Sequence, residues 1–510
     1  MEGEIVPVTA FGPLQLLAVR VHRLANTGHG HEALAAADAY LAIAHAVGDD
    51  RTTLFLMQGQ MYANLHMGRL AEAYDLGERL LRRHRSAVGE AKTLCDLAQI
   101  DVLRGRYFLA MRNLARAGVL LDRTEPQTDT ERRVSALCSF AEAATAAEMY
   151  ETAATTYEQL SIRKSSFALV HAATLLHWGL RLSHVGRPDE GAARLRRSAE
   201  ITRQHVERRP DDVVAVAMLA LALAKLGDVV PAEKLARESV MPLREAENYR
   251  YARMAHLALG ISLRSQGALA EARTEFVAAR ELCAFGTRPD EKPVIRFELA
   301  LTALATDDGQ AGRDMFEAVE GQTRELWRLR EQRVAMLRQA RQREESELAR
   351  ARAEREVLRD PLTGLDNRRR FDLLMQGIDR GRVTAPLVLL IVDVDHFKAV
   401  NDAYSHATGD RALREVAGIL RAHCRAEDIP VRYAGDEFTV FLQGDLTVGR
   451  EVAERIRAAV ARTDILPGVR LTVSVGLAAL ADGMSGETLF READDRLYAA
   501  KWSGRNTIAS

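Results

Sequence analysis

Through the first three-fifths of the chain, apolar residues recur at three- and four-residue intervals, the period of a helix with one buried face. LFLMQGQMYANLHMG (54–68) and LAEAYDLGERLLRRH (70–84) are two such stretches on either side of one turn. The turns repeat a pattern: a Gly, then a small residue five positions on that opens the next helix. It reads GHGHEA from Gly28, GRLAEA from Gly68, GRYFLA from Gly105, EMYETA from Glu148, GRPDEG from Gly186, GDVVPA from Gly227 and GALAEA from Gly267. A weaker copy, DGQAGR, follows at Gly309. Gly suits such a turn because it takes a positive φ without steric cost. The intervals run from 37 to 43 residues, and helix pairs repeated at that period stack into a solenoid. From Glu320 to Leu358 there is no Pro, and no Gly after Gly321, while Arg and Glu dominate. That segment predicts one long charged helix. Beyond it the pattern changes. LVLLIVD (387–393) is a continuous apolar run, PVRYAGDEFTVFL (430–442) reads as strand, tight turn and strand, and VRLTVSVGLA (469–478) is rich in β-branched residues. Helical stretches at 409–424, 449–463 and 486–501 alternate with them. This predicts an α/β domain with a central, mainly antiparallel sheet and helices packed on it.

The chain is therefore multidomain: an all-α array over 10–315, a connecting helix over 320–358 and an α/β domain over 359–510. The Gly59, Tyr62, Ala73 and Tyr74 placements in one unit resemble tetratricopeptide repeats (TPR), although the period is longer than theirs. The resemblance implies a protein or peptide ligand in the concave face; a plain structural spacer is the alternative. In the connecting helix, one heptad register aligns Trp327, Arg330, Val334, Leu337, Arg341, Glu344, Leu348, Ala351, Arg355 and Leu358, of which six are apolar. The expectation is a weak parallel coiled coil that joins two copies and acts as a lever; a single solvated helix held by Glu–Arg pairs is the alternative. Trp178 reads as core, RLLRRHR (79–85) as a solvated helix end, and His29 and His31 as a loop pair without a third metal ligand.

Lys plus Arg number 70 and Asp plus Glu 71, so no bulk basic field for nucleic acid exists. Four cysteines lie far apart with no CxxC pair, which fits a reducing compartment. The acidic start MEGEIV does not read as a signal peptide, and no 18-residue apolar run predicts a membrane span. The expected location is cytoplasmic.

The chemistry concentrates in the last domain. Asp393 and Asp395 end the first buried strand, and Asp436 and Glu437 sit in the hairpin turn beside Gly435. If the strands are neighbours, these carboxylates converge at one edge. Such oxygen ligands suit Mg²⁺, and Mg²⁺ sites usually serve phosphates. Lys501 and Arg505 would supply positive charge to the same phosphates. No GxxxxGK[ST] is present, which excludes a P-loop.

RDPLTGLDNRRRF (359–371), DVDHFKAVND (393–402), HATGD (406–410), RYAGDEF (432–438) and ADDRLYAAKWSGRN (493–506) occur in this order. Together they resemble a GGDEF domain, the diguanylate cyclase family. The resemblance implies condensation of two GTP into cyclic di-GMP with release of two pyrophosphates, by a homodimer that needs Mg²⁺ or Mn²⁺. It implies that Asp393, the backbone of Val394 and Asp436 hold the metal, and that Asp436 and Glu437 are the catalytic carboxylates. Asn401 and Asp410 would read guanine. Phe397, Lys398, Gly435, Lys501 and Arg505 would hold the triphosphate, and His406 would pack or position the nucleotide loop. Arg425 and Asp428 stand at the spacing of the family's inhibitory RxxD motif, with Arg455 a secondary contact, so cyclic di-GMP would also be an inhibitor. One residue departs from the pattern: Ala434 stands where the family's first Gly does. Ala is costly there only if the position needs a positive φ. That departure leaves a non-catalytic GTP or cyclic di-GMP receptor, or a TPR scaffold carrying a silent domain, as the alternative.

Overall fold

The computed structural model describes residues 14–26, 29–84, 86–124, 130–285, 291–306, 309–465 and 470–510. The chain divides into two compact units, 1–346 and 347–510.

The first unit is entirely helical among its described residues. Its helices are α1 (Gln15–Asn26), α2 (Gly30–Ala46), α3 (Asp50–His66), α4 (Leu70–Arg83), α5 (Ala87–Leu103), α6 (Tyr107–Arg123), α7 (Thr130–Ala146) and α8 (Tyr150–Arg163). They continue as α9 (Ala168–His184), α10 (Pro188–Arg208), α11 (Val213–Leu226), α12 (Val229–Glu245), α13 (Tyr249–Ser265), α14 (Leu269–Glu281) and α15 (Glu291–Thr306). The expected turns fall between them. Gly68, Gly105, Gly186, Gly227 and Gly267 all take φ between 71° and 91°. Glu148 and Glu247, in turns without Gly, take the same left-handed conformation at φ 60° and 53°. Gly28 lies outside the described residues. Small side chains make the close contacts: Ala73, Ala110, Ala153, Ala232 and Ala272, each five residues after a turn, are wholly buried. No helix among the described residues is long and apolar enough to cross a membrane.

α16 (Gln310–Val357) is one continuous helix, ten residues longer at its start than the predicted segment. Its Trp327 packs with Tyr150 and Trp178, so Trp178 is indeed core.

The second unit has strands β1 (Asp366–Asn367), β2 (Leu387–Val394), β3 (Ile429–Ala434), β4 (Glu437–Gln443), β5 (Val473–Ala479) and β6 (Ile508–Ala509). Their order is β1-β3-β4-β2-β5-β6. The three central pairings are antiparallel and the two outer ones parallel, as the mainly antiparallel expectation requires. α17 (Arg368–Asp379), α18 (Phe397–Ala403), α19 (His406–His423), α20 (Leu446–Arg462) and α21 (Gly486–Trp502) complete the domain. β2 is buried at every position, which explains why it reads as an unbroken apolar run. Alternation still decides its faces. Val388, Leu390 and Val392 meet α19 and α20, whereas Leu387, Leu389 and Ile391 meet α17 and α21.

Candidate active site

The candidate site begins at the turn between β3 and β4. β3 ends at Ala434 and β4 starts at Glu437, so Gly435 and Asp436 alone make the connection. Gly435 takes φ 47°, which a Cβ would strain, whereas Ala434 is not among the positive-φ residues. The departure from the family pattern therefore carries no conformational penalty. Arg432 fastens the turn. Its Nε and Nη2 donate to the Gly435 carbonyl at 3.0 and 2.8 Å, and its Nη1 donates to the Asp360 carboxylate at 3.2 Å. Asp360 also accepts from Thr363, closing the loop of the DPLTG motif. Sequence reasoning passed over Arg432; its place four residues before Asp436 on the same hairpin was the available signal.

Asp393 on β2 lies directly across from Glu437 on β4. The Val394 N–H donates to the Asp436 carbonyl at 3.3 Å, so the turn folds back over the end of β2. Three predicted carboxylates thus share one edge. Lys501, from the last turn of α21, donates to Asp393 Oδ2 at 2.7 Å. Gly476 makes that reach possible: a Cβ there would stand 2.1 Å from Leu497 N and 2.2 Å from Ala493 O, so only Gly lets α21 press against β5.

Burial pushes the Asp393 carboxyl up; Lys501 partly offsets it, and the charges of Asp436 and Asp395 add to the rise. Burial also raises Glu437, the like charge of Asp393 adds to the rise, and Lys501 offsets part of it. The edge thus holds more negative charge than its one lysine balances. Among the described residues no three metal-ligating side chains gather closely enough to hold an ion by themselves. A hard cation completed by backbone and phosphate oxygens fits this donor set, since Mg²⁺ characteristically takes one or two carboxylates and keeps other oxygen ligands.

Asp395 does not join the edge. Its carboxylate accepts from Thr472 Oγ1 and Ser474 Oγ at 2.7 Å and from Asn506 N at 3.0 Å. It ties β5 and the C-terminal segment to β2, a structural role that the run of acids concealed.

The predicted nucleotide residues lie on α18, α19 and beyond α21. Asn401 Oδ1 is buried with no hydrogen-bond partner. Gly409 makes room for it: a Cβ there would meet Asn401 Oδ1 at 2.0 Å and Phe397 Cζ at 3.0 Å. Asp410 follows on the same turn of α19, half-buried. Lys398 is exposed on α18. His406 is exposed at the first turn of α19. Arg505 follows α21 in left-handed backbone at φ 61°, its side chain exposed.

Arg425 and Asp428 lie in the turn between α19 and β3. Asp428 is buried and accepts from Arg425 N at 2.7 Å and Gln443 N at 3.3 Å, so its carboxylate also shapes the turn. The Arg425 side chain is exposed. Arg455 on α20 donates to the His423 carbonyl at 3.4 Å, which brings it to the same corner within one domain.

Residues 357–507 match the profile of the family described as diguanylate cyclase, GGDEF domain. Diguanylate cyclase DgcP of Pseudomonas aeruginosa is 39% identical over 158 residues, covering 30% of this chain and 24% of that protein. Response regulator PleD of Caulobacter vibrioides is 38% identical over 160 residues, covering 29% and 35%. Diguanylate cyclase DgcS of Shewanella oneidensis is 37% identical over 149 residues, covering 29% and 50%. The chain thus spans between a quarter and a half of the length of these curated relatives. Among solved structures, the GGDEF domain of DgcB from Caulobacter crescentus in complex with c-di-GMP is 32% identical and covers 30% of this chain and 94% of that one, with a TM-score of 0.27.

Proposed function

We propose that this chain, whose last third is a GGDEF domain, is a diguanylate cyclase that condenses two GTP into cyclic di-GMP and two pyrophosphates. The observation that carries the reading is the edge where Asp393, Asp436 and Glu437 crowd around a single lysine. Asp393, Asp436 and the Val394 carbonyl would hold Mg²⁺ or Mn²⁺, which supplies charge neutralisation at the α-phosphate and the departing pyrophosphate. Asn401 and Asp410 select guanine, because a carboxylate accepts from N1–H and the 2-amino group together. The buried, unpartnered Asn401 Oδ1 supports a ligand donor there. Lys501 leaves Asp393 for the phosphates when nucleotide arrives, and Lys398 and Arg505 add charge. Glu437, with its raised carboxyl, stands closest to the role of proton acceptor for the attacking 3′-hydroxyl.

That hydroxyl belongs to a second GTP held by a second copy, so the working enzyme is a homodimer. Product binding at Arg425, Asp428 and Arg455 would hold two domains apart; Arg425→Ala then relieves inhibition by added cyclic di-GMP, and unchanged inhibition would remove this site. The array governs the geometry of the pair, and the protein works in the cytoplasm. Incubating the full chain with GTP and Mg²⁺ and resolving the products by chromatography tests the reading. Cyclic di-GMP from the parent and none from Glu437→Ala supports it; GTP binding without turnover in the parent favours a receptor instead.

A further inference from the structure

The first five of the ten positions assigned by sequence to a coil between two copies, Trp327 to Arg341, already meet the array. Trp327 and Arg330 are 5% and 4% exposed, and Val334 and Leu337 pack on the core formed by α5, α6 and α7. Arg330 donates to the Glu148 carbonyl at 2.9 Å and pairs with the Glu151 carboxylate. Its guanidinium also lies 4.6 Å from the Trp327 ring centroid. Arg333 reaches Glu148 Oε2 at 3.1 Å over the Tyr107 ring, and Arg341 pairs with Asp122. Glu148, in left-handed backbone as Glu247 is, offers both its carbonyl and its carboxylate to the helix.

The arrangement is not deeply trapped. Arg181 is wholly buried 3.9 Å from Glu148 Oε2, the oxygen that Arg333 also reaches, and none of its three guanidinium nitrogens has a hydrogen-bond partner. Lifting the helix would leave that carboxylate to Arg181 alone, which lowers the cost of release.

We propose that the acidic face of the array, formed by Asp122, Glu148 and Glu151, is the docking site for the chain's own helix over residues 323–341. Docking there and pairing with a second copy through Trp327 to Arg341 use the same side chains and exclude one another, so release of the helix gates the extension of the dimer seam over this half. The gating of catalysis rests on the dimeric-cyclase reading; the competition itself does not. A rival pairing face exists on the opposite side of α16, where Met315, Leu329 and Met336 are exposed in one heptad phase.

The test uses full-length protein with Glu151→Arg and Asp122→Arg combined. Both sites are well exposed and leave the helix sequence native. Maleimide labelling of an added Leu337→Cys, counted above the four native cysteines, reports release. Sedimentation reports the dimer constant without GTP, and Met336→Cys cross-linking reports the rival face. The expected result is faster labelling at 337 and a dimer tighter by about tenfold, equivalent to ~1.4 kcal/mol, both reversed by adding Arg330→Glu and Arg341→Glu. Unchanged labelling would overturn the docking site. Faster labelling with an unchanged dimer constant, or ready cross-linking at 336 in the parent, would overturn the competition. A tighter dimer that forms no cyclic di-GMP would leave the competition standing and remove the cyclase reading.

Discussion

The two units treat buried carboxylates in opposite ways. In the array, Glu298 is wholly buried and takes bonds from His184 at 2.8 Å, Lys225 at 2.9 Å and Arg264 at 2.6 Å. Burial alone would raise its carboxyl, but Lys225 and the other partners outweigh it and hold it well below the usual range. In the GGDEF domain, Asp393 and Glu437 share one lysine and rise. A carboxylate whose charge is fully answered holds a fold together. A group of them left short of positive charge is prepared for a cation from outside.

The contrast is sharpest in activity. Glu437→Gln is expected to lower cyclic di-GMP formation by roughly 10²–10⁴-fold, measured by product chromatography, with the fold unchanged by circular dichroism. Glu298→Ala should leave activity chemistry untouched but destabilise the array by about 3–5 kcal/mol in urea, because buried His184 and half-buried Lys225 and Arg264 lose their acid. If Glu437→Gln destabilised the fold as much as Glu298→Ala, the distinction between the two carboxylates would fail. Gly476→Ala should cost about 1–3 kcal/mol in the second unit and lower cyclase activity, since α21 and Lys501 must shift. Mg²⁺ binding to the protein loaded with an unreactive GTP analogue, whose phosphates complete the ion's ligands, should release protons at mildly acidic pH, read by calorimetry in two buffers. The sign follows from the raised carboxyls: they keep protons that ordinary carboxylates have lost, binding expels them, and affinity falls as pH drops. The smallest effect is Ala434→Gly, expected to change the rate by less than about twofold, because that backbone does not need glycine.

Much of this was legible along the chain. The turns from Gly68 to Gly267 and the signature around Asp436 are local patterns, and local patterns survive reading in one dimension. Asp395 was misread because an acid at a strand end looks the same whether it faces the site or, as here, Thr472 and Ser474. The occupied face of α16 was hidden for a different reason. Arg330 meets the Glu148 carbonyl across 182 residues, and a heptad seam has the same spacing whether it faces a second copy or the array.

The central claim is that the crowded carboxylate edge performs GTP condensation. The direct measurement is pyrophosphate released per cyclic di-GMP formed by the full-length protein with GTP and Mg²⁺, beside Asp393→Asn. The account predicts two pyrophosphates per product in the parent and neither product in the variant. Tight Mg²⁺-dependent GTP binding without pyrophosphate release would contradict it.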